Sequence, residues 1–362
     1  MTATADLRAA GVSIWLDDLS RGRIVSGGLE RLIAERDVAG ITTNPTIFAN
    51  AFAESAVYDD QLAELRAEGA GPAETAFALM THDVRAACDI LKPVYDATGG
   101  VDGRVSIEVS PAVAHDPTAT LAEAVHLHEL VDRPNVLVKI PATPAGVLAI
   151  ADATAAGISV NVTLIFGLER YRQVIDAYLA GLERARHAGH DIGSIHSVAS
   201  FFVSRVDVEV DRRLAALGGE TAERLSGQAA IANARLAYEI FEQTLLDASW
   251  RELARAGANP QRPLWASTGV KDPRLRDTIY VEELVAPHTV NTMPAKTLEA
   301  VADHGSIRND TIHGTYDDAR RMLDELAAAG VSMADVADTL ETAGIVTFAA
   351  SWETLIGAIS PH

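Results

Sequence analysis

The chain has 362 residues, 48% of them apolar, and 30 basic against 50 acidic side chains give a formal net charge of −20. That apolar share supports a large core and excludes a disordered chain, and the acidity argues against a general nucleic-acid or membrane-surface binder, because phosphate backbones need a basic face. A small phosphate ligand survives this exclusion, and the single cysteine, Cys88, which can form no internal disulfide, suits a reducing, cytoplasmic setting.

The stretch Met1–Leu16 carries Asp6 and Arg8 and lacks the apolar core of a signal peptide. No run of about 18 uninterrupted apolar residues marks a membrane span. Eight short apolar runs bounded by Gly, Pro, Asn or Asp then read as strands: Ser13–Leu19, Val38–Asn44, Arg104–Ser110, Asn135–Pro141, Gly157–Phe166, Ser197–Ser204, Pro263–Thr268 and Ala286–Asn291. Helical patterns lie between them. In Ala73–Ala97 the apolar residues Phe77, Met80, Val84, Cys88, Leu91 and Tyr95 step by three or four and mark one helix face. Leu168, Tyr171, Ile175, Tyr178 and Leu182 repeat the pattern, as do Ile231, Ala234, Tyr238, Phe241 and Leu245.

Strand–helix alternation implies parallel strands with crossover helices. Eight repeats favour an α/β fold of the closed (β/α)8 TIM-barrel type over an open sheet. Residues 1–293 are expected to form the barrel with an N-terminal extension. No strand pattern follows Pro294, so 294–362 are expected to be a helical appendage packed on the barrel, with helix starts near Tyr316 and Met333. Monomer and homodimer both fit the sequence.

A buried parallel strand should be almost wholly apolar, yet several of these runs carry polar residues with period 2. Ser13, Trp15 and Asp17 alternate in the first run, Thr42 and Asn44 close the second, and Ser106, Glu108 and Ser110 alternate in the third. The pattern continues with Asn135, Leu137 and Lys139, then Ser159, Asn161 and Thr163, then Val198, Ser200 and Phe202. Period 2 puts each set on one side of its strand. In a barrel that side can be the lumen, whose C-terminal end is the active-site face.

Lys139 is the sharpest single residue. The chain has four lysines, and of Lys92, Lys139, Lys271 and Lys296 Lys139 alone lies inside an apolar strand run. Burying an ammonium is costly unless it is paired or loses its proton. A neutral amine there is a nucleophile for a carbonyl and gives a Schiff base, whereas a paired one is an ion pair with Glu108; the residues alone leave both readings open. Glu108 and Asp17, at strand ends, are candidates for proton transfer, and parity puts Asp18 on the opposite side from Asp17. There is no G-x-G-x-x-G after a strand, no Walker loop, no H-E-x-x-H and no G-x-S-x-G. His126 and His128 diverge on a helix, and His187 and His190 read as solvated. A cofactor-free, metal-free enzyme is the simplest expectation.

Gly40-Ile-Thr-Thr-Asn-Pro-Thr-Ile-Phe48, Ser106-Ile-Glu-Val109, Val136-Leu-Val-Lys-Ile-Pro-Ala142 and Val160-Asn-Val-Thr-Leu-Ile-Phe166 resemble the successive strand motifs of the transaldolases. The likeness continues through Ser200-Phe-Phe-Val-Ser-Arg205, Leu264-Trp-Ala-Ser-Thr-Gly269 and Thr289-Val-Asn-Thr-Met-Pro294, over roughly residues 10–360, and is greatest to the longer bacterial type. The resemblance implies a pentose-phosphate-pathway transferase acting on sugar phosphates. It would move a dihydroxyacetone unit from sedoheptulose 7-phosphate to glyceraldehyde 3-phosphate, giving erythrose 4-phosphate and fructose 6-phosphate. By position it makes Lys139 the Schiff-base lysine and Asp17 the acid/base at the donor's C4 hydroxyl. Glu108 and Thr163 become a pair relaying protons through a water. Asn44 and Asn161 become amides on the dihydroxyacetone hydroxyls, Ser200 a donor contact and Arg205 a phosphate ligand. Phe202 and Glu108 stand where the related fructose 6-phosphate aldolases are expected to have Tyr and Gln, which favours the transferase. Ser110 replaces an expected acidic residue. Beyond Ser267, no second phosphate arginine appears where the shorter relatives have one, and Lys271 is the candidate replacement.

Overall fold

In the computed structural model, which describes residues 2–54 and 56–360, eight parallel strands close into a barrel in chain order. They are β1 (Val12–Leu16), β2 (Val38–Ile41), β3 (Arg104–Glu108), β4 (Val136–Pro141), β5 (Val160–Ile165), β6 (Ser197–Phe202), β7 (Gln261–Ala266) and β8 (Thr289–Met293). The expected (β/α)8 barrel with added C-terminal helices is the observed fold, and each expected strand has its counterpart. The expected ranges that include Met1, Ser55, Pro361 and His362 extend outside the described residues at those positions.

The strand ends differ from expectation for physical reasons. The last strand starts at Thr289, not Ala286, because Pro287 has no N–H to pair and His288 takes a left-handed backbone, φ 60°. It then continues past Asn291 to Met293. The seventh strand starts before Pro263, at Gln261, and Pro263 lies level with Ala199 of β6. The first and second strands end at Leu16 and Ile41, leaving Asp17, Thr42 and Asn44 in the turns just beyond.

Most of the period-2 residues face the lumen, but Ser110 turns outward to Glu123 and Asn135 donates to the Cys88 and Gly103 carbonyls at the barrel's lower edge. Trp15, Leu137, Val198, Leu264 and Val290 meet in the lumen as an apolar layer. Trp15 fills so much of it that a Cβ on Gly40 would lie 2.5 Å from the indole ring, so β2 approaches β1 only because that residue is glycine. The helices cover the outside with the stripes read from sequence: Met80, Val84, Cys88 and Leu91 are buried in Pro72–Ala97, and Tyr171, Tyr178 and Leu182 in Leu168–His187.

After β8 the chain forms helices Ala295–His304, Tyr316–Ala328 and Met333–Ile359. Ser332 caps the last of these by accepting from the Asp335 N–H. This helix has 27 residues and is long and apolar enough to cross a membrane by length and composition. Here it runs beside the helix Pro45–Glu54 and lies over the C-terminal mouth of the barrel, where Gly344, Thr347, Phe348 and Ser351 face the opening. Gly344 allows close approach: a Cβ there would sit 3.2 Å from Leu164 of β5.

Candidate active site

Above the apolar layer, at the C-terminal ends of the strands, lies a cavity of about 350 Å³. Parallel strands put all their C-terminal side chains at this one end. In register, Glu108 on β3 lies level with Lys139 on β4, and Lys139 level with Asn161 on β5. The lumen-facing side chains of Glu108 and Lys139 therefore share the cavity floor.

Lys139 and Glu108 both line the cavity, and both readings of the lysine meet there. The Lys139 Nζ donates to Glu108 Oε2 at 3.2 Å and to the Thr43 carbonyl at 3.0 Å. The pair is not a dry salt link, since it borders a cavity large enough for a substrate. Burial pushes the Glu108 carboxyl above its ordinary range, and the adjacent Lys139 charge opposes that shift. Asp17 also lines the cavity; burial raises its pKa, while Lys139 and a 2.7 Å hydrogen bond from Thr42 Oγ1 pull it down. Two proton carriers with raised pKa values thus flank one amine. Asp18 points away and pairs with Arg23.

The remaining expected residues fall as follows. Asn44, Thr163, Ser200 and Phe202 line the cavity. Thr163 Oγ1 is buried without a partner among the described residues, which leaves it available to a bound molecule. Asn44 Oδ1 accepts from the Ile47 N–H at the start of the helix Pro45–Glu54. Asn161 does not line the cavity: it is fully buried, its Nδ2 donates to Ser106 Oγ at 2.9 Å, and its Oδ1 accepts from Ser200 Oγ at 2.7 Å. Its immediate action is to hold Ser200. Ser110 also lies off the cavity and binds Glu123 of the helix Pro117–Val131.

Arg205 lines the cavity with its guanidinium over the Phe202 ring, 5.2 Å from the centroid. Among the described residues it makes no ion pair, so its charge is available to an anion. Ser267, at φ 56°, holds a conformation rare for a non-glycine residue, and its hydroxyl lies 2.9 Å from that of Ser204. Lys271 is an exposed lysine at the rim of the same cavity.

Sequence reasoning missed two contributions. Thr292 lines the cavity and contacts Thr42 at 2.6 Å, but the expected eighth strand stopped one residue before it. The second is the face of the C-terminal helix carrying Thr347, Phe348 and Ser351, with Ser351 Oγ accepting from Thr46 Oγ1 at 2.8 Å. Nothing local in that helix marks the face, because where it docks is set by the barrel.

The sequence matches the family described as Transaldolase/Fructose-6-phosphate aldolase over residues 14–359. A transaldolase of Thermobifida fusca (strain YX) is 59% identical over 354 residues, covering 98% of this chain and 96% of that protein. A transaldolase of Acidothermus cellulolyticus is 59% identical over 356 residues, 98% and 95% of the two chains. One from Mycolicibacterium paratuberculosis is 58% identical over 353 residues, 97% and 95%.

Proposed function

The chain belongs to the transaldolase/fructose-6-phosphate aldolase family and is a transaldolase, a transferase of the class I aldolase type, and we propose that Lys139 carries the transferred unit as a Schiff base. The observation that supports this reading is an amine inside an apolar barrel, beside a carboxyl of raised pKa, at a cavity with a free arginine.

In this reading the neutral Lys139 amine adds to the ketose C2 carbonyl, and loss of water leaves an iminium. Glu108, through Thr163 and a water, supplies and recovers the protons of that step. Asp17 takes the proton from the C4 hydroxyl. The C3–C4 bond breaks, its electron pair moves into the iminium, and an enamine remains while the aldehyde leaves. The enamine then attacks the acceptor aldehyde, Asp17 returns its proton to the new hydroxyl, and water releases the ketose. Asn44 and Ser200, the latter set by Asn161, bind the dihydroxyacetone hydroxyls. Arg205 takes the phosphate, with Ser267 and Lys271 at the rim. Sedoheptulose 7-phosphate and fructose 6-phosphate are the donors of this reading, which needs no cofactor. The buried Cys88 goes with a cytoplasmic location.

Borohydride added with fructose 6-phosphate tests the scheme. A reduced three-carbon adduct on Lys139, absent from Lys139→Ala together with all turnover, is the expected result. An unmodified protein or substantial activity in Lys139→Ala refutes it.

A further inference from the structure

The other end of the barrel holds a second cavity, of about 220 Å³, lined by Arg104, Arg262, His196, Leu137, Val198 and Val101 among others. Leu137 and Val198 belong to the apolar layer of the lumen, which separates this space from the catalytic one. We propose that this N-terminal cavity is a binding site for a small organic or inorganic oxyanion, a short-chain carboxylate or a phosphate, held by Arg104 with Arg262 and His196.

The charge balance carries the proposal. Arg104 and Arg262 are 1% and 8% exposed. Among the described residues the one carboxylate near them is Asp102, and it is engaged: Oδ2 accepts from Ser13 Oγ at 2.7 Å, while Oδ1 accepts from Trp15 Nε1 and Arg262 Nη2, each at 3.0 Å. Arg262 is paired with Asp102 and also donates to Ser13 Oγ and the Val101 carbonyl, and it lines the cavity beside Arg104. Among the described residues Arg104 pairs with no carboxylate. Its Nε donates to the Gly100 carbonyl at 2.7 Å, its Nη1 has a 3.5 Å contact with Ser159 Oγ, and its Nη2 is buried with no partner among the described residues. The Tyr95 ring face 5.3 Å away compensates only in part. A buried guanidinium with an empty donor and no counter-charge is a costly arrangement that an oxyanion would complete.

The neighbours fit that occupant. Burial and the two guanidiniums push the His196 pKa down to about 3, so its ring is neutral and offers one N–H. Among the described residues that ring makes no hydrogen bond. Leu137, Val198, Val101 and Pro260 give the cavity apolar walls on which a short carbon chain can rest. In a chain of net charge −20 such a pocket collects anions against the overall field.

The test is a titration of the full-length protein with sodium propionate and, separately, with inorganic phosphate, against sodium chloride at equal ionic strength. The readouts are the Trp15 indole N–H and His196 ring NMR signals and the melting temperature. Expected are saturable shifts of both signals and, at about 100 times Kd, a Tm rise of roughly 3 °C beyond the chloride control. The same shifts should persist in Arg205→Ala, which removes the anion ligand at the catalytic end. They should vanish in Arg104→Gln, and also in Val101→Phe, which blocks the cavity from a half-open wall and decides the matter if Arg104→Gln fails to fold. A response to propionate alone identifies a carboxylate site, and one to phosphate alone a phosphate site. Shifts that never saturate, that chloride reproduces, or that disappear in Arg205→Ala overturn the proposal.

Discussion

Thr42→Val isolates what sets the proton affinity of Asp17. The Thr42 hydroxyl has one proton, and it goes to Asp17 Oδ1 at 2.7 Å. The 2.6 Å contact between Thr42 and Thr292 must therefore be donated by Thr292. This two-hydroxyl chain stabilises the carboxylate over the carboxyl, against the burial that raises its pKa. A hydrogen bond to a charged group contributes about 1.5–3 kcal/mol, and one pKa unit is 1.36 kcal/mol. Losing the bond should raise the Asp17 pKa by about 1–2 units. In the proposed scheme Asp17 must be ionised to accept the C4 hydroxyl proton, so a higher pKa means activity fails at a higher pH. In a profile of kcat/KM for fructose 6-phosphate, the acid limb should move up by about 1–2 pH units while the plateau above it is largely kept. Thr292→Val should move it the same way by less, since it only weakens the donor. A limb that stays in place while the whole profile drops would refute this assignment of Asp17 as the base.

Arg205→Ala should raise KM for phosphorylated sugars by about 10- to 100-fold, the worth of one charge-assisted contact, and leave KM for unphosphorylated ones nearly unchanged; equal effects would remove its phosphate role. Phe202→Tyr should raise the release of free dihydroxyacetone relative to transfer, because a hydroxyl beside the enamine can orient a water, and an unchanged product ratio would count against that wall. Gly40→Ala forces a methyl into the Trp15 ring and should cost about 3 kcal/mol or more, read as a Tm drop of about 4 °C or more; a melting curve like that of the parent would mean the lumen is packed otherwise.

The barrel and most of the site residues were legible because both leave a local mark. Strand–helix alternation is a property of short windows, and a polar residue at every second position of an apolar run is anomalous wherever it occurs. Lys139 stood out for that reason. Strand ends were less legible, since they depend on where a neighbour stops pairing: Asp17 and Thr42 lie just outside β1 and β2, although their N–H groups still donate to Met293 and Leu16 carbonyls. Asn161 carries the same period-2 signal as Thr163, yet only Thr163 lines the cavity. Period 2 gives the side of a strand and not the depth, and Asn161 sits one layer lower, bonded to Ser106 and Ser200. The roof left no mark, because the residues of Met333–Ile359 that face the mouth are chosen by docking at long range.

That roof bears on why a carbon unit is transferred and not lost. An enamine on Lys139 is destroyed by protonation, so the site must supply protons in order while excluding stray water. The ionisable groups to which the proposed scheme gives proton transfer, Asp17, Glu108 and Lys139, come from the β1, β3 and β4 segments. On the other side stand Leu164, Phe202 and Ala266 from β5, β6 and β7, and Phe348 from the C-terminal helix. Phe202 packs against Phe166 at 5.1 Å and carries Arg205 on its ring. One residue thus sets both the apolar wall and the position of the free cation. In the proposed scheme a substrate whose phosphate reaches Arg205 would be drawn along that wall, displacing the water that would otherwise quench the enamine. Binding the phosphate and protecting the intermediate are, in this arrangement, consequences of the same contact.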